Sequence, residues 1–256
     1  MVAIVLAVIA AIFLIAPILI VIPMSFSTAI SFEFPPPGYG LGYYRKFASD
    51  PDWIEPTLNS FIVAVGTTVA TLLLVIPASF AYVRHRFRGR ALVNLLMMLP
   101  LVVPHVVSGL GYYGFLGKIR LLGTPPGVIV AHAALAIPVG FLVISASLKG
   151  LDRNLERAAM SSGAGQLRTF WYVTLPVLRP GILVAALFAF LTSFNEAVIA
   201  IFIAGRDAAT LPKKMFESIR LESDPVIAVI STLLTVAVLI GVASSFLVRS
   251  RWKHAS

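Results

Sequence analysis

The chain has 256 residues, 59% of them hydrophobic and 12% charged, with a formal net charge of +9 and no cysteine. Soluble domains hold about one-quarter charged residues, and no water-soluble core hides this much apolar surface, so the composition specifies a membrane protein, which the lengths of its apolar runs make an all-α one. The missing cysteines exclude a disulfide framework and a thiolate metal site.

Six apolar runs are each long enough to cross about 30 Å of hydrocarbon at about 1.5 Å per helical residue. They cover residues 2–23, 57–83, 91–116, 128–148, 181–204 and 226–248, and predict one transmembrane domain over residues 1–256. The first run lacks the basic start and small-residue cleavage site of a signal peptide and is longer than the apolar region of one, so it is expected to remain a span. The same missing basic start leaves open whether native residues precede Met1.

Between the first two spans, Phe34-Pro-Pro-Pro-Gly38 and Ser49-Asp-Pro-Asp52 stop the first helix and predict a structured excursion with a short interfacial helix near residues 43–47. Gly123-Thr-Pro-Pro-Gly127 makes a tighter connection on the same side. Basic residues concentrate on the opposite side. With both termini cytoplasmic, the inner segments hold Arg84, Arg86, Arg88, Arg90, Lys149, Arg153, Arg157, Arg168, Arg179, Arg249, Arg251 and Lys253 against two acids, Asp152 and Glu156. That asymmetry follows the positive-inside rule. The basic balance therefore reports topology, and the short 84–90 turn is too small for a polynucleotide surface.

Residues 149–180 form an inner connection too long for a simple link between helices. Asp152 is placed to cap a short helix reaching Ser162, and Gly163-Ala-Gly165 interrupts it. A second short helix comes next, with Leu167, Phe170, Trp171 and Thr174 as an apolar stripe, and Leu175-Pro176 is expected to end it. Leu155, Ala158, Ala159 and Ser162 give the first helix a face of small residues. From the pattern alone, this platform either admits the close approach of another protein or rests on the membrane interface.

The run Leu155-Glu-Arg-Ala-Ala-Met-Ser-Ser-Gly-Ala164, with Val173-Thr-Leu-Pro176 nine residues after Gly163, resembles the EAA loop of binding-protein-dependent ABC permeases. Two positions depart from that pattern: Arg157 stands in the acidic slot, next to Glu156, and Val173 replaces isoleucine. Leu99-Pro-Leu-Val-Val-Pro-His105, Thr192-Ser-Phe-Asn-Glu-Ala197, Thr210-Leu-Pro212, Phe216-Glu-Ser-Ile-Arg220 and Asp224-Pro225 extend the resemblance. They are similar to the second permease of spermidine/putrescine-type systems, a branch that also serves ferric iron, opines and related solutes.

The resemblance implies a type I importer fold like that of the methionine and maltose permeases. It implies that residues 149–180 couple to an ATPase through Glu156, Arg157, Ala158, Ala159, Gly163, Leu175 and Pro176. The implied partners are a second permease, two ATP-binding subunits, an extracytoplasmic binding protein and the lipid of a bacterial inner membrane. No G-x-x-x-x-G-K-[ST] loop is present, so this chain is expected to bind no cofactor and to be no enzyme itself, ATP and Mg residing in the partner.

Glu196 is the one formally charged residue inside an expected span, about 22 Å along the fifth helix. A carboxylate at depth costs several kcal/mol without a partner, which makes it a functional candidate. With Thr192 and Asn195 it is expected to form a polar stripe, facing either the solute path or the partner permease. His105 comes directly after the Pro100 and Pro104 kink and belongs to the same candidate path. An amine or other cation, such as a polyamine, suits an acidic path; an opine, ferric iron or another solute is the alternative. His105 and His132 lie in different spans and define no metal site. An ion-coupled secondary transporter would have no need of the 149–180 platform and commonly shows internal repeats, which are not evident here. An intramembrane enzyme would need paired catalytic groups that the spans lack.

Overall fold

A computed structural model describes residues 2–221 and 224–253. In chain order the helices are α1 (Val2–Ser25), α2 (Gly42–Ser49), α3 (Pro51–Arg84), α4 (Arg90–Val102), α5 (His105–Lys118), α6 (Pro125–Gly150), α7 (Arg153–Ser161), α8 (Gln166–Thr169), α9 (Leu175–Phe194), α10 (Val198–Ile203), α11 (Leu211–Leu221) and α12 (Val226–Lys253). A π-helical turn, Phe170–Thr174, joins α8 to α9. The predicted interfacial helix at 43–47 is α2.

Four helical stretches are long and apolar enough to cross a membrane: Ile4–Ser25, Pro51–Arg84, Pro125–Gly150 and Gln166–Phe194. The pair α4 and α5 supplies a fifth if it counts as one crossing, and α12 contributes the apolar stretch Val226–Ile240. Arg249, Arg251 and Lys253 lie beyond Ile240, outside the residues whose side chains are described.

Two expected spans are not single rods. The third is bent by 108° between α4 and α5. Pro104 clashes with a helical residue before it and has no N–H to give, and Val103 accordingly sits at φ −79°, ψ 126°, in the extended region. The fifth is displaced in both directions. Its helix starts upstream and runs unbroken through Leu175-Pro176, where a stop was expected, because Pro176 falls in the first turn of α9 and the π turn before it re-spaces the carbonyls that a normal N–H would have met. It then stops at Phe194 and resumes as α10, so residues 195–197 are a break in the expected span.

The chain divides into two compact units, residues 55–213 and the two ends, 1–54 with 214–256. In the first, α6 and α9 pack along each other, so closely at one point that a Cβ on Gly181 would overlap the Ser147 side chain, the small-residue approach that membrane helices use where lipid offers no hydrophobic drive to associate. One buried cluster gathers Val63, Leu116, Val128, Ile199 and Ile203, and another Val75, Phe141, Ile144, Leu148 and Leu178. A buried polar bridge crosses the unit. The Thr67 hydroxyl accepts from Ser193 Oγ at 3.2 Å, and Ser193 Oγ meets His132 Nδ1 at 2.9 Å. The imidazole is fully buried.

In the second unit α12 packs against α1 and α2. Lys46 Nζ of α2 donates to Asp224 Oδ2 at 2.6 Å, and that hydrogen bond raises the lysine above its ordinary value of 10.5. A raised lysine contributes stability that is complete below 10.5 and is lost as the pH climbs through the raised value.

The connection before α6 is tightly drawn. Thr124 caps the helix by accepting from Gly127 N–H, and a Cβ on Gly127 would collide with the Leu121 carbonyl oxygen, a backbone atom. Gly127→Ala is expected to cost about 1–3 kcal/mol through this overlap, read as a lowered unfolding midpoint in detergent. Gly114, whose added Cβ would meet nothing within 4 Å, is the control, and Gly114→Ala should leave the midpoint in place or raise it.

Candidate functional site

The two helix breaks meet. His105 opens α5 immediately after Pro104, and α5 packs against α10, which brings the imidazole to the 195–197 break. Glu196 sits there with its side chain 7% exposed and its Oε2 3.1 Å from His105 Nδ1; the imidazole is 51% exposed. The other oxygen, Oε1, accepts the Ile199 N–H at 2.8 Å, satisfying one of the free first-turn amides of α10. The carboxylate therefore closes one helix start and tethers another.

The stripe expected on the fifth helix is not formed. Because the helix ends at Phe194, Asn195 becomes its cap residue, exposed, with Nδ2 donating to the Leu191 carbonyl at 2.9 Å. Thr192 is half-buried and Glu196 turns inward. Of the four candidate path residues, the fold joins Glu196 to His105 and leaves Asn195 to its own helix. The acid has a partner within its own chain, a pairing that spacing could not supply because the two residues are 91 positions apart.

The platform forms as two short helices with a glycine turn between them. Asp152 Oδ1 accepts the Asn154 N–H at 2.9 Å and caps α7. The far end closes as a Schellman motif, with Gly163 N–H to Met160 O at 3.0 Å and Ala164 N–H to Ala159 O at 3.1 Å. Gly163 has φ +89°, the left-handed region where a side chain is strained. The expected stripe of the second helix is split, because a π turn holds more residues per turn and shifts the phase of the side chains beyond it. Thr174 is buried and Phe170 half-buried, whereas Leu167 and Trp171 are exposed. Tyr172, beside these two, is exposed as well, as is Leu155 on α7.

Glu156 and Arg157, adjacent in sequence, part company. Glu156 faces inward, with Oε2 3.2 Å from Arg84 Nε and Oε1 accepting from Thr174 Oγ1 at 2.9 Å. Both charged side chains are nearly covered, at 8% and 12% exposure. The Arg84 contact is an ion pair by distance rather than an aligned hydrogen bond. Arg153 Nη2 donates to the Val83 carbonyl at 3.2 Å, tying α7 to the end of α3. Arg157, Ala158 and Gly163 are exposed, Ala159, Leu175 and Pro176 half-buried. Sequence reasoning counted Arg84 only as a topological charge. The available signal was its place at the end of an apolar run, where a basic residue next to a span can meet a carboxylate from the following inner segment.

Removing one member of a covered pair strands the other, so Glu156→Gln and Arg84→Gln should each destabilise the chain by about 3 kcal/mol. The double variant should lose clearly less than the sum, with a coupling of about 1 kcal/mol or more in unfolding measurements. Strict additivity would show that the two charges do not interact.

The chain is 32% identical over 233 residues to the putrescine transport system permease protein PotI of Escherichia coli strain K12, an alignment covering 88% of this chain and 83% of that one. It is 28% identical over 209 residues to the molybdate/tungstate transport system permease protein WtpB of Pyrococcus abyssi, 81% of each chain. A crystal structure of a bacterial ABC transporter involved in the import of the acidic polysaccharide alginate superposes with a TM-score of 0.72 over 97% of this chain and 94% of the other, at 17% identity, and shares its fold. Residues 74–252 match the family described as the binding-protein-dependent transport system inner membrane component. A chain with these broken apolar helices, matched over that range, belongs to this family and is a multi-pass permease component of an ABC importer with the type I fold.

Proposed function

We propose that this chain lines half of a translocation path beside a second, related permease, and that two ATP-binding subunits drive it through residues 149–180. Both termini lie in the cytoplasm, and an extracytoplasmic binding protein delivers the solute. The observation that carries the coupling assignment is the set of uncovered apolar side chains on the platform, Leu155, Leu167, Trp171 and Tyr172, on a segment anchored by the Arg84–Glu156 pair. Large apolar side chains held outward on a fixed base suit a protein partner. Glu156 belongs to the base of this surface, and Arg157 supplies its outward charge.

Coupling is best tested at an exposed position, because bulk at Gly163 would strain its backbone whatever docks there. Ala158→Trp should leave the chain inserted and folded while reducing ATP-driven uptake and stimulated ATPase activity of the reconstituted complex by tenfold or more. Wild-type values for both would remove the platform from the coupling path.

The solute we propose is a small cation, a polyamine or related amine, and the supporting observation is the Glu196 carboxylate where two interrupted helices meet. An ammonium or guanidinium passing the half-exposed His105 would take over the imidazole's contact with Oε2. A second reading is favoured by the engagement of both Glu196 oxygens: the acid then only fixes α5 against α10, and the solute is an opine, an iron complex or another species. The permease names PotI and WtpB, one for a diamine and one for oxyanions, divide along the same line. Glu196→Gln discriminates between them. On the cation reading, uptake in proteoliposomes falls at least tenfold per assembled complex while recovery of complex is unchanged; on the second, recovery falls and uptake per complex is retained.

A further inference from the structure

A cavity of 220 Å³ lies behind the platform, where α3 ends. Phe80, Phe170 and Met160 make one side of its lining apolar, while Arg84, Arg153 and Arg157 bring three guanidinium groups to it. Glu156 is the one carboxylate among the lining residues, and it is committed to Arg84 and Thr174. Arg84 is the unusual member. Its side chain is only 8% exposed, yet its Nη2 is buried without a hydrogen-bond partner. A buried donor left unmade costs about 1–3 kcal/mol, and here it belongs to a charged group in a lining with a net positive excess.

Planar guanidinium donors match the oxygens of a phosphate group. The apolar side of the cavity adds a further constraint, since a free anion makes no use of Phe80, Phe170 and Met160, whereas an amphiphile does. The position agrees, because the apolar run of α3 gives way to charge at Arg84, the place along a span where headgroups lie. We propose that this cavity binds a phosphate group, that of an anionic phospholipid, with Arg84 Nη2 as the deep donor and Arg153 and Arg157 closing over it.

The test uses the whole importer complex, purified and stripped of lipid in detergent, with adducts counted by native mass spectrometry. The probes are phosphatidylglycerol, phosphatidylcholine and inorganic phosphate. The expected result is at least tenfold tighter retention of phosphatidylglycerol than of phosphatidylcholine, with the preference abolished in Arg157→Gln, whose side chain is exposed and is not one of the contacts that fix α7 to α3. Arg84→Gln/Glu156→Gln, which removes both members of the buried pair, should abolish it as well. Phosphate binding that these variants lose, without preference between the lipids, would uphold the phosphate site and overturn its assignment to lipid. Equal retention of both lipids with no phosphate binding, or a preference unchanged in the arginine variants, would overturn the site. So would a cavity found filled by an acidic side chain of the ATP-binding subunit.

Discussion

A helix in hydrocarbon satisfies its own backbone, so each interruption at membrane depth leaves amides and carbonyls that the surrounding protein has to meet. This chain interrupts two apolar segments, at Val103-Pro104 and at residues 195–197, and a single carboxylate serves both breaks. Glu196 accepts the Ile199 N–H on one side and holds His105 on the other. The packing of α5 against α10 and the gathering of Leu116, Ile199 and Ile203 into one buried cluster depend on the two breaks lying side by side. An acid at depth, costly in isolation, is here the joint between two helix starts.

The platform obeys a different constraint, because it must stay fixed while presenting apolar side chains outward. It is held by end groups: Asp152 at the start of α7, the Gly163 turn at its end, and Arg153 on the Val83 carbonyl near the end of α3. The Arg84–Glu156 pair then locks the assembly to the membrane helix. Such a pair is weak evidence of net stability but strongly resists the loss of one partner. The same arrangement turns the negative charge of the Glu156-Arg157 dipeptide inward and its positive charge outward.

The family fixes the class of transport without fixing the sign of the solute's charge. The joint of the two breaks sets a covered carboxylate against a half-exposed imidazole, and a group that already closes a helix start gives up its hydrogen bonds only to a competitor that replaces them.

Composition and periodicity determined the membrane class, most of the segments that are helical and the pair of short helices within residues 149–180, since hydrophobic length and spacing are properties of short stretches of chain. Turn chemistry was legible for the same reason: the Asp152 cap, the Gly163 stop and the helix near residues 43–47 each rest on residues within a few positions of one another. The Pro104 kink was legible as a kink, but not its 108° angle. The sequence misled at Leu175-Pro176, where a π turn rescued a helix that proline would be expected to end, and at residues 195–197, where a run that is apolar on average is broken. Only the tertiary structure decided that Glu196 meets His105 and that Glu156 turns toward Arg84 while Arg157 stays outside. Those pairings join residues 91 and 72 positions apart, and a charge in a chain carries no record of which distant helix will be packed beside it.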